Sequence, residues 1–69
     1  MTLSRIIKQI KERRAVLNVT QETLSEISGV GLRTLKQFES GKGNPTLQTL
    51  QKLCVALGLE IKLETKKLE

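Results

Sequence analysis

A helix-start pattern that occurs twice in succession constrains this chain more than any other feature. Val19 and Leu24 flank the capping residue Thr20, and the same apolar spacing recurs directly afterwards. An apolar pair placed in this way around a cap is the hydrophobic staple of a helix N-terminus. Gly29 lies between the two patterns, where a left-handed glycine ends a helix. The sequence therefore predicts two short helices joined by a tight turn.

Longer apolar periodicities lie on both sides of this pair. Thr2 or Ser4 can cap a first helix, and Thr46 can cap a fourth one that is closed by Gly58. The third helix is expected to begin near Leu32. The core is predicted to contain Leu3, Ile6, Ile7, Ile10, Leu17, Leu24, Ile27, Leu35, Phe38, Leu47, Leu50, Leu53, Cys54 and Leu57.

The spacing of apolar residues changes after the fourth helix. Leu59, Ile61 and Leu63 alternate with charged residues, which predicts a β-strand at about 59–64. Because one chain offers this strand no partner, the strand is predicted to pair across a dimer. The alternative is a frayed tail whose alternation is due to chance. The predicted fold is an all-α domain over 1–67 with four to five helices and a C-terminal β-strand.

The composition excludes most enzyme classes. A chain of 69 residues with no His, Tyr or Trp and one Cys cannot assemble a catalytic triad or a zinc tetrad. So short a chain builds only one modest core and no large cleft. We therefore expect no enzymatic activity, no catalytic residues, no cofactor and no metal site, and we expect Cys54 to be a small buried hydrophobe.

Charge and cysteine usage suggest where the chain acts. A single cysteine forms no intrachain disulfide, and no apolar stretch approaches the length of a membrane span. The lack of an intrachain disulfide fits the reducing cytoplasm, so we expect a cytoplasmic protein. We expect no membrane contact, because the apolar face of the first helix is needed for the core. Twelve Lys or Arg residues against seven acidic ones suit a nucleic-acid partner. Leu68 and Glu69 match residues that a C-terminal tag vector leaves.

Several motifs taken in register resemble the phage-repressor and Cro type of helix-turn-helix domain, also called the xenobiotic-response-element-like family. These motifs are Arg14, Val19-Thr20-Gln21, Leu24, Gly29-Val30, Leu35, Phe38-Glu39, Gly41-Lys42, Asn44-Pro45, Leu47, Leu50, Leu53 and Ala56-Leu57-Gly58. The resemblance covers about Ile6 to Gly58. It implies that the third helix enters the major groove of double-stranded DNA.

The resemblance also implies roles for individual residues. It places DNA contacts at Gln21, Leu32, Arg33, Thr34, Lys36, Gln37, Lys42 and Asn44. Arg33 can bond to guanine and Gln37 to adenine, each with two hydrogen bonds. It pairs Arg14 with Glu39 as a structural ion pair. The chain departs from the family pattern at Thr23, at Gly31, which cannot cap the recognition helix with a side chain, and at the apolar Leu32.

The sequence is compatible with two functions. The first is a sequence-specific transcriptional regulator, a repressor that binds a palindromic operator as a homodimer and is nucleoid-associated when bound to DNA. The alternative is an antitoxin, because a dimerisation strand formed by Leu59, Ile61 and Leu63 resembles the HipB-like antitoxins. Such a protein would neutralise a toxin protein and autoregulate its operon.

Overall fold

Four α-helices form the regular structure of residues 2–67, which are the residues that this computed structural model describes. They are α1 (Leu3–Val16), α2 (Gln21–Ser28), α3 (Leu32–Glu39) and α4 (Leu47–Ala56). Helix α2 packs against both α3 and α4, and α1 packs against α3. The prediction of an all-helical domain is confirmed for these residues. No helix within 2–67 has the length and apolar character needed to cross a membrane.

Threonine side chains cap the N-termini of three of the helices. Thr2, Thr20 and Thr46 each accept a hydrogen bond from the backbone N–H three residues further on, over 3.0 to 3.3 Å. Each hydroxyl satisfies one of the amides that the first turn of a helix leaves without a partner. Gly31 precedes α3 and makes no such bond, as its lack of a side chain requires.

The turn between α2 and α3 is closed by Gly29. Its φ of 75° lies in the left-handed region that favours glycine, and its N–H donates to the Ser25 carbonyl over 3.0 Å. The Ser25 hydroxyl in turn donates to the Val30 carbonyl over 2.6 Å. These bonds pair backbone N–H and carbonyl groups of the turn with partners in the turn itself or in α2. They fix the direction in which α3 leaves α2.

One apolar core lies among the four helices. Its buried members are Ile7, Ile10, Leu24, Val30, Leu35, Phe38, Leu53, Cys54 and Leu57. Cys54 is buried as predicted, and burial raises the pKa of its thiol.

Four predicted core residues are exposed instead, and for these the prediction was wrong. Leu3, Leu17 and Leu47 lie at helix ends, which extend past the centre of so small a core. Ile27 is 57% exposed. It follows Leu24 by three positions, which rotates it by about 60° around α2 away from the buried direction. Helical spacing predicts which residues share a face but not how wide the buried stripe is.

Residues 59–67 form neither a helix nor a strand in this chain. Leu59 packs against the core, whereas Ile61 and Leu63 are exposed. The strand predicted over 59–64 is therefore absent from the single chain. A β-strand needs a second strand to complete its ladder, and residues 2–67 contain none. Leu68 and Glu69, predicted to be vector-derived, lie outside the described residues.

Candidate nucleic-acid interface

Helix α3 has one face in the core and one in solvent. Leu35, Phe38 and Glu39 are buried. The side chains on the other face are exposed, namely Arg33, Thr34, Lys36 and Gln37. Leu32, expected on the exposed face, is instead half-buried. A helix held in this way presents long polar side chains on a rigid support.

A bidentate ion pair ties α3 to α1. Arg14 Nε donates to Glu39 Oε2 over 2.9 Å, and Arg14 Nη2 donates to Oε1 over 2.8 Å. The Glu39 side chain is 4% exposed and that of Arg14 is 21% exposed. Two parallel charge-assisted bonds fix the relative geometry of the groups they join. The pair that the resemblance implied is present.

Gln21 ties the start of α2 to the same carboxylate. Its Nε2 donates to Glu39 Oε1 over 2.9 Å. Arg14 makes a further bond through Nη1, which donates to the Val19 carbonyl in the turn between α1 and α2 over 2.9 Å. Glu39 therefore connects three helices at the buried side of α3. The hydrogen bond from Gln21 braces α3 against α2, and the bond from Arg14 to Val19 was not predicted.

Arg13 has a structural contact that the sequence pattern missed. Its Nε donates to the Leu57 carbonyl at the end of α4 over 2.8 Å. A cation at this position satisfies a free carbonyl and complements the negative end of the helix dipole. Arg13 is not among the apolar positions of α1 that predict the core. No local signal predicts this bond, because its partners lie 44 positions apart.

The loop after α3 brings four predicted contact residues together. A shallow hollow of about 120 Å³ is lined by Thr34, Gln37, Phe38, Lys42, Gly43, Asn44 and Pro45. The Lys42 N–H donates to the Gln37 carbonyl over 3.0 Å, which folds the loop back against α3. Gly43 has a φ of 84°, a left-handed value that favours glycine. Lys42 and Asn44 are exposed beside the polar face of α3.

All exposed charges of α3 and the loop that follows it are positive. Between Gly29 and Leu59 the only acidic residue is Glu39, and its carboxylate is buried against Arg14. The exposed charges of α3 and the following loop are those of Arg33, Lys36 and Lys42. A cationic surface with amide and hydroxyl groups between its charges suits a polyanion that carries hydrogen-bonding edges.

The same segment is matched in known proteins. A family model described as helix-turn-helix matches residues 10–63, which include α2, α3, α4 and the second half of α1. The chain belongs to the Cro-like helix-turn-helix family. The resemblance predicted from the motifs is confirmed. Helices α2 and α3 form its helix-turn-helix, in which α3 takes the position of the recognition helix.

Relatives of this helix-turn-helix chain carry regulatory names. The cryptic phage CTXphi transcriptional repressor RstR of Vibrio cholerae is 33% identical over 57 residues, which are 83% of this chain and 51% of that protein. An uncharacterized HTH-type transcriptional regulator of Haemophilus influenzae is 38% identical over 77% of this chain and 54% of its own length. A protein of the same description from Archaeoglobus fulgidus is 40% identical, covering 77% and 75%. The chain thus spans about half the length of the first two.

Proposed function

We propose that this chain is a DNA-binding transcriptional regulator, a repressor that binds a palindromic operator as a homodimer. The observation that carries the proposal is the recognition helix itself. It exposes Arg33, Thr34 and Gln37, while Glu39, its only carboxylate, is buried and paired. The regulatory names of the relatives support the same function. No enzymatic activity is part of the proposal.

Each exposed group of the site has a matching group on DNA. Arg33 bonds to O6 and N7 of guanine, and Gln37 bonds to N6 and N7 of adenine. Thr34 or Lys36 contacts a base edge or a phosphate. The half-buried Leu32 packs on a thymine methyl. Phosphates are bound around them by Lys42, Asn44 and the first residues of α2, including Gln21.

Binding to DNA is expected to weaken steeply with salt. Lysine and arginine contacts to phosphate release counterions, and about six phosphates neutralised by a dimer give a log–log slope of roughly −5. Fluorescence anisotropy with a labelled duplex at several salt concentrations measures this slope. A flat titration between low and moderate salt would contradict the proposal.

Two alanine variants separate base reading from phosphate binding. Arg33→Ala is expected to cost about 1–3 kcal/mol at the preferred site only, because guanine recognition is lost there. Lys42→Ala is expected to weaken binding to all sequences about equally. Lys52→Ala removes the same charge from α4, outside the hollow beside α3, and serves as the control. An equal loss on every sequence for Arg33→Ala would make Arg33 a phosphate contact.

The proposed dimer forms through the tail, residues 59–64. Two chains joined at Leu59, Ile61 and Leu63 bury apolar area that a single chain of this size leaves in solvent. Their recognition helices then read half-sites about one turn of DNA apart, roughly 34 Å. The protein acts in the cytoplasm, bound to the nucleoid. The antitoxin alternative and its toxin partner stay predictions, since no contact among residues 2–67 favours them over the regulator.

A further inference from the structure

The tail carries the most exposed large apolar side chain of residues 2–67. Leu63 is 98% exposed and Ile61 is 43% exposed, whereas Leu59 packs against the core. These side chains alternate with the charged Glu60 and Lys62. An extended tail therefore has one apolar face and one charged face, and the single chain leaves most of the apolar face uncovered.

We infer that the tail pairs with the tail of a second copy as an antiparallel ladder in a single register, with Ile61 opposite Ile61. The inference rests on the proposed dimer and adds its register. Leu59 then lies opposite Leu63 of the second copy. On the charged face, Glu60 lies opposite Lys62 of the second copy. Two-fold symmetry repeats each unlike pair, so the ladder has a continuous apolar face and two cross-strand ion pairs.

Charge and polarity disfavour the neighbouring registers. A ladder centred between two residues puts apolar side chains opposite charged ones. One centred on Glu60 opposes two carboxylates, and one centred on Lys62 opposes two ammonium groups. A parallel pairing in register also places each charge beside its own copy, and like charges directly opposite destabilise a ladder. Centring on Leu63 keeps unlike charges together but puts Ile61 opposite the polar Thr65.

Two contacts within the single chain favour this geometry. Lys62 Nζ lies 3.9 Å from Glu60 Oε2, so the two charged side chains already share a side of the tail, as in an extended strand. The Leu59 N–H donates to the Cys54 carbonyl over 2.7 Å and is therefore not free for a ladder.

The hydrogen bond from the Leu59 N–H to the Cys54 carbonyl decides which residues form the backbone hydrogen bonds of the ladder. Backbone groups of successive strand residues point to opposite edges, so a strand continuing from Leu59 turns the amides of Glu60 and Lys62 to the other edge. The inferred register uses those amides, because it makes Glu60 and Lys62 the hydrogen-bonded pair. Ile61 and its counterpart then form a non-hydrogen-bonded pair, with Cα atoms about 4.5 Å apart.

Cysteine cross-linking in the full chain tests the register. Ile61→Cys places one thiol on each side of the two-fold axis, within the range of Cα separations that a disulfide spans. Leu63→Cys is the matched control, because Leu63 faces Leu59 of the second copy. Under mild oxidation we expect Ile61→Cys to form covalent dimers while Leu63→Cys stays largely unlinked. The unsubstituted chain, whose Cys54 is buried, also stays unlinked.

Charge exchange tests the ion pairs separately. Glu60→Lys or Lys62→Glu alone turns two attractive pairs into repulsive ones, which is expected to raise the dimer dissociation constant about tenfold. Equimolar mixing of the two variants restores unlike pairs in a heterodimer, and so does the double exchange within one chain. Sedimentation equilibrium measures each constant. If the single variants Glu60→Lys and Lys62→Glu dimerise as tightly as the original chain, the assignment of the ion pairs is overturned.

The outcomes separate this inference from the proposed function. Cross-linking through Leu63→Cys but not through Ile61→Cys overturns the register. A dimer in sedimentation that neither cysteine links has its interface elsewhere, which overturns the inference and the tail-mediated dimer but leaves the DNA-binding regulator standing. Absence of DNA binding by a chain that does cross-link through Ile61→Cys gives the opposite result, because the register then holds and the regulator does not.

Discussion

Replacing Glu39 with alanine is expected to lower the free energy of unfolding by about 3–5 kcal/mol, because it leaves the guanidinium of Arg14 partly buried without its partner. Gln21 loses its acceptor in the same substitution. Native domains are stabilised by only about 5–15 kcal/mol in total, so this single change removes a large fraction of the stability. Urea unfolding followed by circular dichroism measures the loss.

An exposed glutamate provides the control for this prediction. Glu12 on α1 lies 3.9 Å from Lys8, and its side chain is 63% exposed. An ion pair in that setting contributes about 0–1 kcal/mol, so Glu12→Ala is expected to leave the unfolding midpoint almost unchanged. If Glu39→Ala behaved like Glu12→Ala, Glu39 would be a surface charge and the bracing of α3 would need another explanation.

Leu35→Ala is expected to destabilise the domain by about 2–5 kcal/mol, because it removes buried methyl groups and leaves a cavity. Leu35 lies on α3 and is 0% exposed. The matched control is Leu47→Ala, the same substitution at a side chain that is 68% exposed. Thermal unfolding compares the melting temperatures of the two variants directly. Equal melting temperatures would contradict the burial of Leu35 in the core.

The helices of this fold could be predicted because their start and stop signals are local. Thr20 and Thr46 cap the helices that follow them, and Gly29 adopts the left-handed conformation expected of it. Such signals depend on backbone groups within a few residues. The exposure of Ile27 could not be predicted, because it depends on where α3 and α4 lie against α2.

The candidate site was predictable to a different degree for each residue. The pairing of Arg14 with Glu39 followed from the family resemblance, since the two residues are 25 positions apart and periodicity alone does not join them. The bond from Arg13 to Leu57 has no such motif and was missed. For the tail, alternation predicts a strand, but a strand needs a second strand to form a ladder, and residues 2–67 of one chain contain none.

The exposed face of α3 is the surface that we propose contacts DNA. The most direct test is an amide chemical-shift titration of the isotopically labelled chain with a duplex selected from random sequences. We expect the largest shifts at residues 20–22, 31–37 and 42–44. Large shifts confined to the surface between α2 and α4, around Ile27, Gln51 and Val55, with α3 unchanged, would show that DNA contacts a different surface.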